Sequence, residues 1–186
     1  MPHVFEPAPS SRAKCRGCGQ PIGKADLRFG ECIPNPFAEG ETTLWFHPTC
    51  AAFKRPQPVL EALGATAAAV PDREQLERTA RHGVAHRRLP RIDGAERAPS
   101  ARAACRCCHE PIERGTWRIR LVFFDNGRFE PGGFVHLDCR KTYFETDDVL
   151  APVLHFSRAL GDDERAQLVR ACAAEPAPGL PPGGQS

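Results

Sequence analysis

Two copies of one cysteine and histidine pattern constrain this 186-residue chain more than any other feature. Each copy has a Cys-x-x-Cys pair, a long gap and a His-x-x-Cys pair. The gap is 28 residues in the first copy and 27 in the second, and the first cysteines are 90 residues apart. A pattern that recurs at a fixed offset indicates two copies of one module. The residues of the pattern are Cys15, Cys18, His47 and Cys50 in the first copy and Cys105, Cys108, His136 and Cys139 in the second.

The donor atoms of each copy suit zinc. Three thiolates and one imidazole are the ligands of a Cys3His structural site, and a Cys-x-x-Cys turn can place two sulfurs on one edge of a tetrahedron. Four protein ligands also fill the coordination sphere, which disfavours a catalytic zinc with an open position. We therefore predict two structural Zn²⁺ ions, one in each module.

The remaining cysteines are not expected to bind metal. The chain has nine cysteines, an odd number, and its first residues lack the cationic and apolar segments of a signal peptide. Secretion and a disulfide framework are therefore poor interpretations. Cys32 aligns with Val122 of the second module, which suggests a small apolar strand residue. Cys107 and Cys172 are also interpreted as residues that do not bind zinc.

Apolar residues alternate with arginine after each Cys-x-x-Cys pair. Leu27 and Phe29 flank Arg28 in the first module, and the second module repeats this pattern around Arg118. Period-two alternation predicts half-buried strands, with the arginines on the face that contacts solvent. A second strand is predicted to run into each histidine. In the second module, an Asp-Asn-Gly sequence at residues 125–127 signals the hairpin turn between the two strands.

Each module is predicted to end in a helix, over residues 72–82 and 162–174, where acidic residues precede a Gln-Leu pair and a later arginine. The predicted fold class is therefore a small zinc-stabilised α+β fold. It consists of two tandem Cys3His fingers, each a short antiparallel sheet plus helices. Zinc is required because a core of this size does not fold unaided. The predicted core includes Ile22, Ile112, Trp45 and Trp117.

Composition suggests where the fingers begin and end. Proline, glycine and mixed charges between the fingers are typical of a linker, and a Pro- and Gly-rich end is typical of disorder. The predicted order is an N-terminal tail over 1–10, the first finger over 11–86, a linker over 87–101, the second finger over 102–174 and a disordered tail over 175–186.

The ligand spacing resembles that of the DNA-break-sensing zinc fingers of poly(ADP-ribose) polymerase, which are also found in DNA ligase III. That family has Cys-x-x-Cys, nearly thirty residues, and His-x-x-Cys preceded by aromatic residues. The chain fits this pattern twice, over about residues 10–85 and 100–174. Residues 45–48, Trp-Phe-His-Pro, are similar to the family's approach to the histidine. The spacing is specific, because most other zinc fingers have gaps of about 12–20 residues.

The resemblance implies that each finger binds breaks in duplex DNA by structure rather than by sequence. Arginines would contact the DNA backbone, and an apolar loop residue would stack on a base exposed at a nick, a gap or an end. The family's arginines lie three residues before the first ligand and ten residues after the second. They correspond to Arg12, Arg28, Arg102 and Arg118.

The loops depart from the family's pattern. Counted back from the histidine, the main apolar loop position falls at Ala38 in the first finger and near Gly127 in the second. Phe37 and Phe129 are therefore predicted to be the stacking residues, with Phe124 as a further candidate. No segment resembles the family's transferase or ligase domain, so a non-enzymatic DNA-binding protein is expected.

Charge is distributed unevenly, although the net charge is only +2. Residues 1–30 and 102–124 each carry +3, whereas residues 125–186 carry −4. Positive charge beside the Cys-x-x-Cys pairs favours local contact with a DNA break over general coating of DNA. The alternative is a zinc-stabilised adaptor that binds a protein partner in DNA repair or regulation.

The predicted partner is damaged or nicked duplex DNA, and the protein is expected to be a monomer in the absence of DNA. No run of about 18 apolar residues is present, so no membrane partner is expected. Only 4 of the 25 basic residues are lysines, and alanine, glycine and proline are abundant, which is typical of a GC-rich genome. We therefore expect an intracellular protein of the bacterial cytoplasm or nucleoid rather than of a nucleus.

Overall fold

The computed structural model of the protein describes residues 2–36 and 38–174. The predicted stacking residue Phe37 and the predicted disordered tail 175–186 lie outside the described residues.

The chain forms two compact units. Unit 1 contains Met1–Ile92 together with Val122–Gly132, and unit 2 contains Asp93–Leu121 together with Gly133–Ser186. The ligands of the first finger lie in unit 1 and those of the second finger in unit 2. The segment 122–132, which we call the hairpin tip, comes from the sequence of the second finger but belongs to unit 1.

Unit 1 begins with a three-stranded antiparallel sheet in the order β1-β2-β3. Phe29, at the centre of β2, pairs with Phe5 of β1 and with Phe46 of β3. Three helices and a 3-10 turn follow the sheet. The elements are β1 Val4–Pro7, β2 Leu27–Pro34, β3 Glu41–Phe46, α1 Pro48–Lys54, α2 Pro56–Ala65, α3 Arg73–Ala85 and the turn Leu89–Arg91.

The second finger repeats the sheet in the order β4-β5-β6. Short helical elements again follow the last strand. The elements are β4 Ile92–Arg97, β5 Trp117–Asp125, β6 Arg128–His136, the 3-10 turn Leu137–Cys139, α4 Arg140–Phe144, α5 Leu150–Phe156 and α6 Asp162–Ala173.

Two strands lie where the sequence predicts a tail and a linker. The predicted tail 1–10 contains β1, and the predicted linker 87–101 contains β4. Both strands are short and carry proline, glycine or several charges, so neither shows clear alternation. They form because the central strand of each finger has an edge whose N–H and C=O groups require partners. Each of these two segments therefore supplies a strand to a sheet, which their composition does not indicate.

Several local predictions are confirmed. Residues 126 and 127 connect β5 and β6, and Asn126 and Gly127 have φ angles of +46° and +79°, the left-handed pair that a tight type I′ hairpin requires. The predicted helices correspond to α3 and α6. Within the described residues, none of the helices combines the length and the apolar character needed to cross a membrane.

The core of each finger is small. Phe29 and Phe46 are fully buried, and their ring centroids are 6.2 Å apart. Ile22 and Ile112 are also fully buried, as predicted. Because so few apolar side chains cluster in each sheet, the ligand sets described next must supply much of the stability.

Candidate metal centres and basic groove

The first ligand set is assembled from three consecutive parts of unit 1. Cys15 and Cys18 lie in the loop before β2, His47 follows β3, and Cys50 lies in α1. Their four ligand atoms all lie within 4.8 Å of one another. The Cys18 and Cys50 sulfurs are 3.4 and 3.9 Å from His47 Nδ1. A tetrahedral zinc with Zn–S bonds of about 2.3 Å separates its ligands by similar distances.

The second ligand set has the same geometry. Cys105, Cys108, His136 and Cys139 also place their ligand atoms within 4.8 Å of one another. The Cys108 and Cys139 sulfurs are 3.4 and 3.9 Å from His136 Nδ1. These two groups are therefore zinc-binding Cys3His clusters, and both predicted ligand sets are brought together. Cys32, Cys107 and Cys172 lie outside both clusters.

A backbone carbonyl orients each zinc-binding histidine. His47 Nε2 is 3.3 Å from Pro21 O, and His136 Nε2 is 3.2 Å from Pro111 O. A carbonyl oxygen can only accept a hydrogen bond, so Nε2 carries the proton and Nδ1 is left to bind the metal. This hydrogen bond to the proline carbonyl fixes the tautomer and the orientation of the imidazole ring.

Hydrogen bonds and burial shift the pKa values of the thiols in the first ligand set. A hydrogen bond with the Cys50 thiol, aided by the His47 backbone N–H, lowers the pKa of Cys15 to about 4. The same bond with Cys15 raises the pKa of Cys50. Burial raises the pKa of Cys18. Before a cation binds, the raised pKa values keep the Cys18 and Cys50 thiols protonated, and Zn²⁺ displaces these protons when it binds.

Two arginines predicted to face solvent are buried instead. Arg28 is 8% exposed and Arg118 is 6% exposed. Arg28 Nε donates to Glu6 Oε1 at 3.2 Å, and its Nη2 donates to the same oxygen. Arg118 donates to Glu96 Oε1 from Nε at 3.0 Å and from Nη2 at 2.5 Å. The prediction of a solvent-facing position is wrong because β1 and β4, which supply these carboxylates, cover the arginines.

An aromatic ring covers each of these guanidinium groups. Arg28 Cζ lies 3.4 Å from the centroid of the Trp45 ring, and Arg118 Cζ lies 3.5 Å from that of Phe134. Cation–π contacts of this kind add to the ion pair. Each finger thus has one cluster in which a carboxylate, an arginine and an aromatic ring, each from a different strand of the sheet, contact one another.

A basic groove lies beside the first zinc cluster. It has a volume of about 480 Å³, and the described residues that line it include three cations, Arg12, Lys14 and Arg16, and no carboxylate. All three cations are exposed. Trp45, which was predicted to lie in the core, is only half-buried and forms part of the groove wall.

A glycine permits this position of the tryptophan. Gly30 pairs with Trp45 across β2 and β3. A Cβ atom at Gly30 would lie 2.6 Å from the tryptophan ring, which is too close for any other residue. The corresponding position of the second finger, 90 residues later, is Arg120.

The second finger repeats part of this groove. The side chains of Arg102 and Arg106 are exposed. The backbone N–H of Arg106 donates to Phe134 O at 2.8 Å, and the backbone N–H of Arg16 donates in the same way to Trp45 O at 2.9 Å. Ala104 replaces the lysine of the first finger. The repeated surface is therefore less positive by one charge.

The hairpin tip packs within unit 1. The Phe129 ring lies 5.0 Å from Phe124 and 6.4 Å from Phe46, measured between ring centroids. Lys54 Nζ lies 5.3 Å from the Phe129 centroid. The structure thus places this predicted stacking residue half-buried among side chains of unit 1. The loop position at Gly127 is buried as well, and a Cβ there would lie 3.1 Å from Ile33 Cδ1.

The hairpin tip also covers a buried ion pair. Arg55 Nε donates to Glu31 Oε2 at 2.7 Å, and Glu31 is only 1% exposed. Arg55 Cζ lies 3.7 Å from the centroid of the Phe124 ring. The ring shields the pair from water, which strengthens its electrostatic attraction. Phe124, named as a further stacking candidate, is thus also in contact with unit 1.

Sequence reasoning missed the residues that surround the predicted arginines. Glu6 and Glu96 are 90 residues apart, the same offset as Arg28 and Arg118, so the repeat contained a signal for them. Lys14 carried no comparable signal, because Ala104 replaces it in the second finger.

Comparisons with known proteins agree with the two zinc centres. Residues 6–86 match the family model described as the poly(ADP-ribose) polymerase and DNA-ligase Zn-finger region. Poly [ADP-ribose] polymerase 1 of Oryza sativa subsp. japonica is 31% identical over 143 residues, which cover 72% of this chain. The poly [ADP-ribose] polymerase of Drosophila melanogaster is 27% identical over 158 residues, or 75% of this chain. That of Gallus gallus is 29% identical over 134 residues, or 63% of this chain.

The match is confined to a small part of those relatives. It covers 14% of the rice protein, 16% of the fly protein and 13% of the chicken protein. Only a zinc-finger region is shared, and no catalytic domain is evident in the match. Residues 6–86 therefore form a zinc finger of the poly(ADP-ribose) polymerase and DNA-ligase family, and the second Cys3His cluster repeats its ligand set.

Proposed function

We propose that this protein is a non-enzymatic DNA-binding protein that recognises strand breaks in duplex DNA by their structure. The observation that carries the proposal is the basic groove beside the first zinc cluster. Arg12, Lys14 and Arg16 are exposed there without a carboxylate among the described lining residues, and Trp45 supplies an aromatic wall. Cationic side chains suit phosphates, and an aromatic face suits an unstacked base.

A break lets a side chain of this groove reach a base that is stacked out of reach in an intact duplex. At a nick or gap, one base step has lost its continuous backbone, so a side chain can enter the stack at lower energetic cost. Trp45 and the predicted stacking residue Phe37 are the candidates for this contact in the first finger. Arg102 and Arg106 provide the corresponding phosphate contacts of the second finger.

The roles of Arg28 and Arg118 in this proposal are mainly indirect. Each guanidinium is paired with a carboxylate and holds an aromatic ring, so it positions the ring that flanks the phosphate-binding residues. Direct contact of these two arginines with DNA, as predicted from the family resemblance, requires a phosphate to displace Glu6 or Glu96. Loss of stability in an alanine variant would indicate the positioning role, and loss of DNA affinity alone would indicate direct contact.

Competition between two labelled duplexes tests the proposal. A nicked duplex and an intact duplex of equal length are compared at one salt concentration, because phosphate contacts make affinity depend on salt. We expect tighter binding to the nicked duplex. Equal affinities for the two duplexes would refute break recognition. Arg12→Ala should reduce the slope of log affinity against log salt by about 0.9, the value for one lost phosphate contact. Arg158→Ala, which removes an exposed charge from unit 2, should leave the slope unchanged.

A protein-binding adaptor is the second candidate function. It is favoured by the net charge of −4 over residues 125–186, which does not suit DNA. If a double Arg12→Ala and Arg102→Ala variant retains full affinity for DNA, the adaptor becomes the better explanation. Under the leading proposal we also expect a monomer without DNA and, from the composition, a location with bacterial DNA in the nucleoid.

A further inference from the structure

The three cations of the basic groove lie on alternate residues of one extended segment. Lys14 forms an antiparallel bridge with Pro21, so the backbone is extended there. Side chains two residues apart in an extended segment point to the same side, and the residue between them points to the other. Cys15 is accordingly buried at the zinc cluster, whereas Arg12, Lys14 and Arg16 are exposed and line the groove.

These three cations have no carboxylate partner among residues 2–36 and 38–174, which the structure describes. Two other arginines of unit 1 differ in this respect, because Arg28 and Arg55 are each paired with a glutamate. The groove therefore has a charge of +3 that an anion from outside can neutralise.

The size of the groove suits one nucleotide rather than a length of DNA backbone. Its volume of about 480 Å³ lies in the range of small-molecule pockets, which is about 300–1,000 Å³. A nucleotide inside a strand brings the single charge of a phosphodiester. A phosphomonoester at the end of a strand carries about −1.5 to −2 at pH 7 and offers three acceptor oxygens. Three cations around one small groove therefore match a phosphomonoester better than a phosphodiester.

Two uncharged side chains of β3 also line the groove. Trp45 is half-buried and offers an aromatic surface on which a terminal base can stack. Thr43, two residues earlier in the strand, has a hydroxyl that can donate a hydrogen bond to a phosphate oxygen. The groove thus combines groups for the phosphate and for the base of one nucleotide.

We propose that the basic groove of the first finger binds the terminal phosphomonoester of a strand at the break. The inference rests on the proposed function for the identity of the partner, and it names the chemical group that the groove recognises. An arginine can contact two phosphate oxygens at once, whereas Lys14 acts as a point charge. The second finger has Ala104 in place of this lysine, so the site belongs to the first finger.

Duplexes of one sequence that differ only in the groups at a nick test the proposal. The full chain is titrated against a nick with a 5′-phosphate, a nick with a 3′-phosphate, a nick with two hydroxyl ends and an intact duplex. Hairpin loops close both outer ends of every duplex, so that strand ends occur only at the nick. We expect a phosphorylated nick to bind about fivefold more tightly than the hydroxyl nick, the effect of one added charge pair in water. The end whose phosphate tightens binding is the end that enters the groove.

Three lysine variants locate the phosphate. Lys14→Ala gives the groove the residue of the second finger, and it should reduce the preference for the phosphorylated nick while the protein retains two zinc ions. Lys14→Arg should keep the preference, because the charge is retained. Lys141→Ala is the matched control: it removes an exposed lysine of unit 2 and should also keep the preference.

Equal affinities of the wild-type protein for the phosphorylated and hydroxyl nicks would overturn the inference. An undiminished preference in Lys14→Ala would also overturn it, because the phosphate would then bind elsewhere, as would an equal loss in Lys141→Ala. The hydroxyl nick and the intact duplex test the proposed function separately. If these two bind equally while a phosphorylated nick binds more tightly, recognition of breaks by structure fails and the site for a terminal phosphate remains.

Discussion

The two fingers share their zinc ligands but differ in the exposure of the loop that follows the central strand. Both clusters have the same ligand-to-ligand distances, and both histidines are oriented by a proline carbonyl. In the first finger, Pro36, Ala38 and Glu39 in the loop between β2 and β3 are exposed. In the second, the tip between β5 and β6 packs within unit 1, with Gly127 buried. Identical metal centres therefore do not imply identical binding surfaces.

This difference shows that the two copies of the module agree in the elements that hold the fold together and differ in the loop between their last two strands. The zinc ligands, the Glu–Arg ion pair and the covering aromatic ring recur because each is required to hold a sheet with so small a core. The loops are not required for that purpose, so they can diverge. The basic groove diverged in the same way, because Lys14 has no counterpart in the second finger.

The largest expected effect tests the equivalence of the two metal centres. Cys15→Ser and Cys105→Ser should each reduce bound zinc from two ions to one per chain and unfold the corresponding sheet. The reason is that a structural zinc contributes roughly 10–16 kcal/mol of binding free energy to folding. Metal analysis combined with circular dichroism measures both outcomes. Cys32→Ser is the matched control and should retain two ions. A Cys105→Ser variant that still binds two would show that the second centre uses another ligand.

The next effect tests whether the hairpin tip stabilises unit 1 or contacts DNA. Phe129→Ala should lower the free energy of unfolding by about 2 kcal/mol, less than a fully buried phenylalanine because the ring is half-buried. Phe123→Ala, at 39% exposure, should cost only about 0.5 kcal/mol. Denaturant titration followed by a probe in unit 1 measures the difference. If Phe129→Ala instead keeps its stability and loses affinity for nicked DNA, the second finger uses this ring for stacking.

A smaller effect separates positioning arginines from phosphate-binding arginines. Arg28→Ala should reduce stability by about 1.5 kcal/mol, because it leaves Glu6 without its partner and Trp45 without its support. Arg12→Ala should leave stability unchanged and reduce only DNA affinity. The same contrast is expected between Arg118→Ala and Arg102→Ala. Thermal unfolding and DNA titration on one set of four variants provide both readouts. Full stability in Arg28→Ala would favour direct phosphate contact.

The smallest effect measures how closely the hairpin tip approaches β2. Gly127 and Gly115 both have positive φ angles, of +79° and +83°. Alanine at either position costs about 1 kcal/mol from backbone strain. Only at Gly127 would the new Cβ meet another side chain, 3.1 Å away at Ile33, whereas nothing lies within 4 Å at Gly115. Gly127→Ala should therefore be less stable than Gly115→Ala by a few tenths of a kcal/mol in denaturant titrations. Equal stabilities would mean that the tip has room to move.

Local signals in the sequence were sufficient for the metal centres, for strands β2, β3, β5 and β6 and for helices α3 and α6. They did not predict α1, α2, α4 or α5. Ligand spacing, alternation around Arg28 and the Asn-Gly turn each depend on residues close together in the chain, so they can be recognised without a structure. The short strands β1 and β4 could not be recognised in this way. Their formation depends on pairing with β2 and β5, which lie 20 or more residues away, and their own composition suggests tail and linker.

By itself, the sequence determined the two Cys3His clusters, their zinc specificity and the repeated architecture, because metal coordination depends on donor type and spacing. Only the tertiary structure decided which faces are covered. Alternation shows that Arg28 and Phe29 point to opposite faces, but not that Glu6 and Trp45 enclose the arginine. It likewise cannot show that Phe129 packs in unit 1. Burial is a property of contacts between distant segments, and those contacts are fixed only when the whole chain has folded.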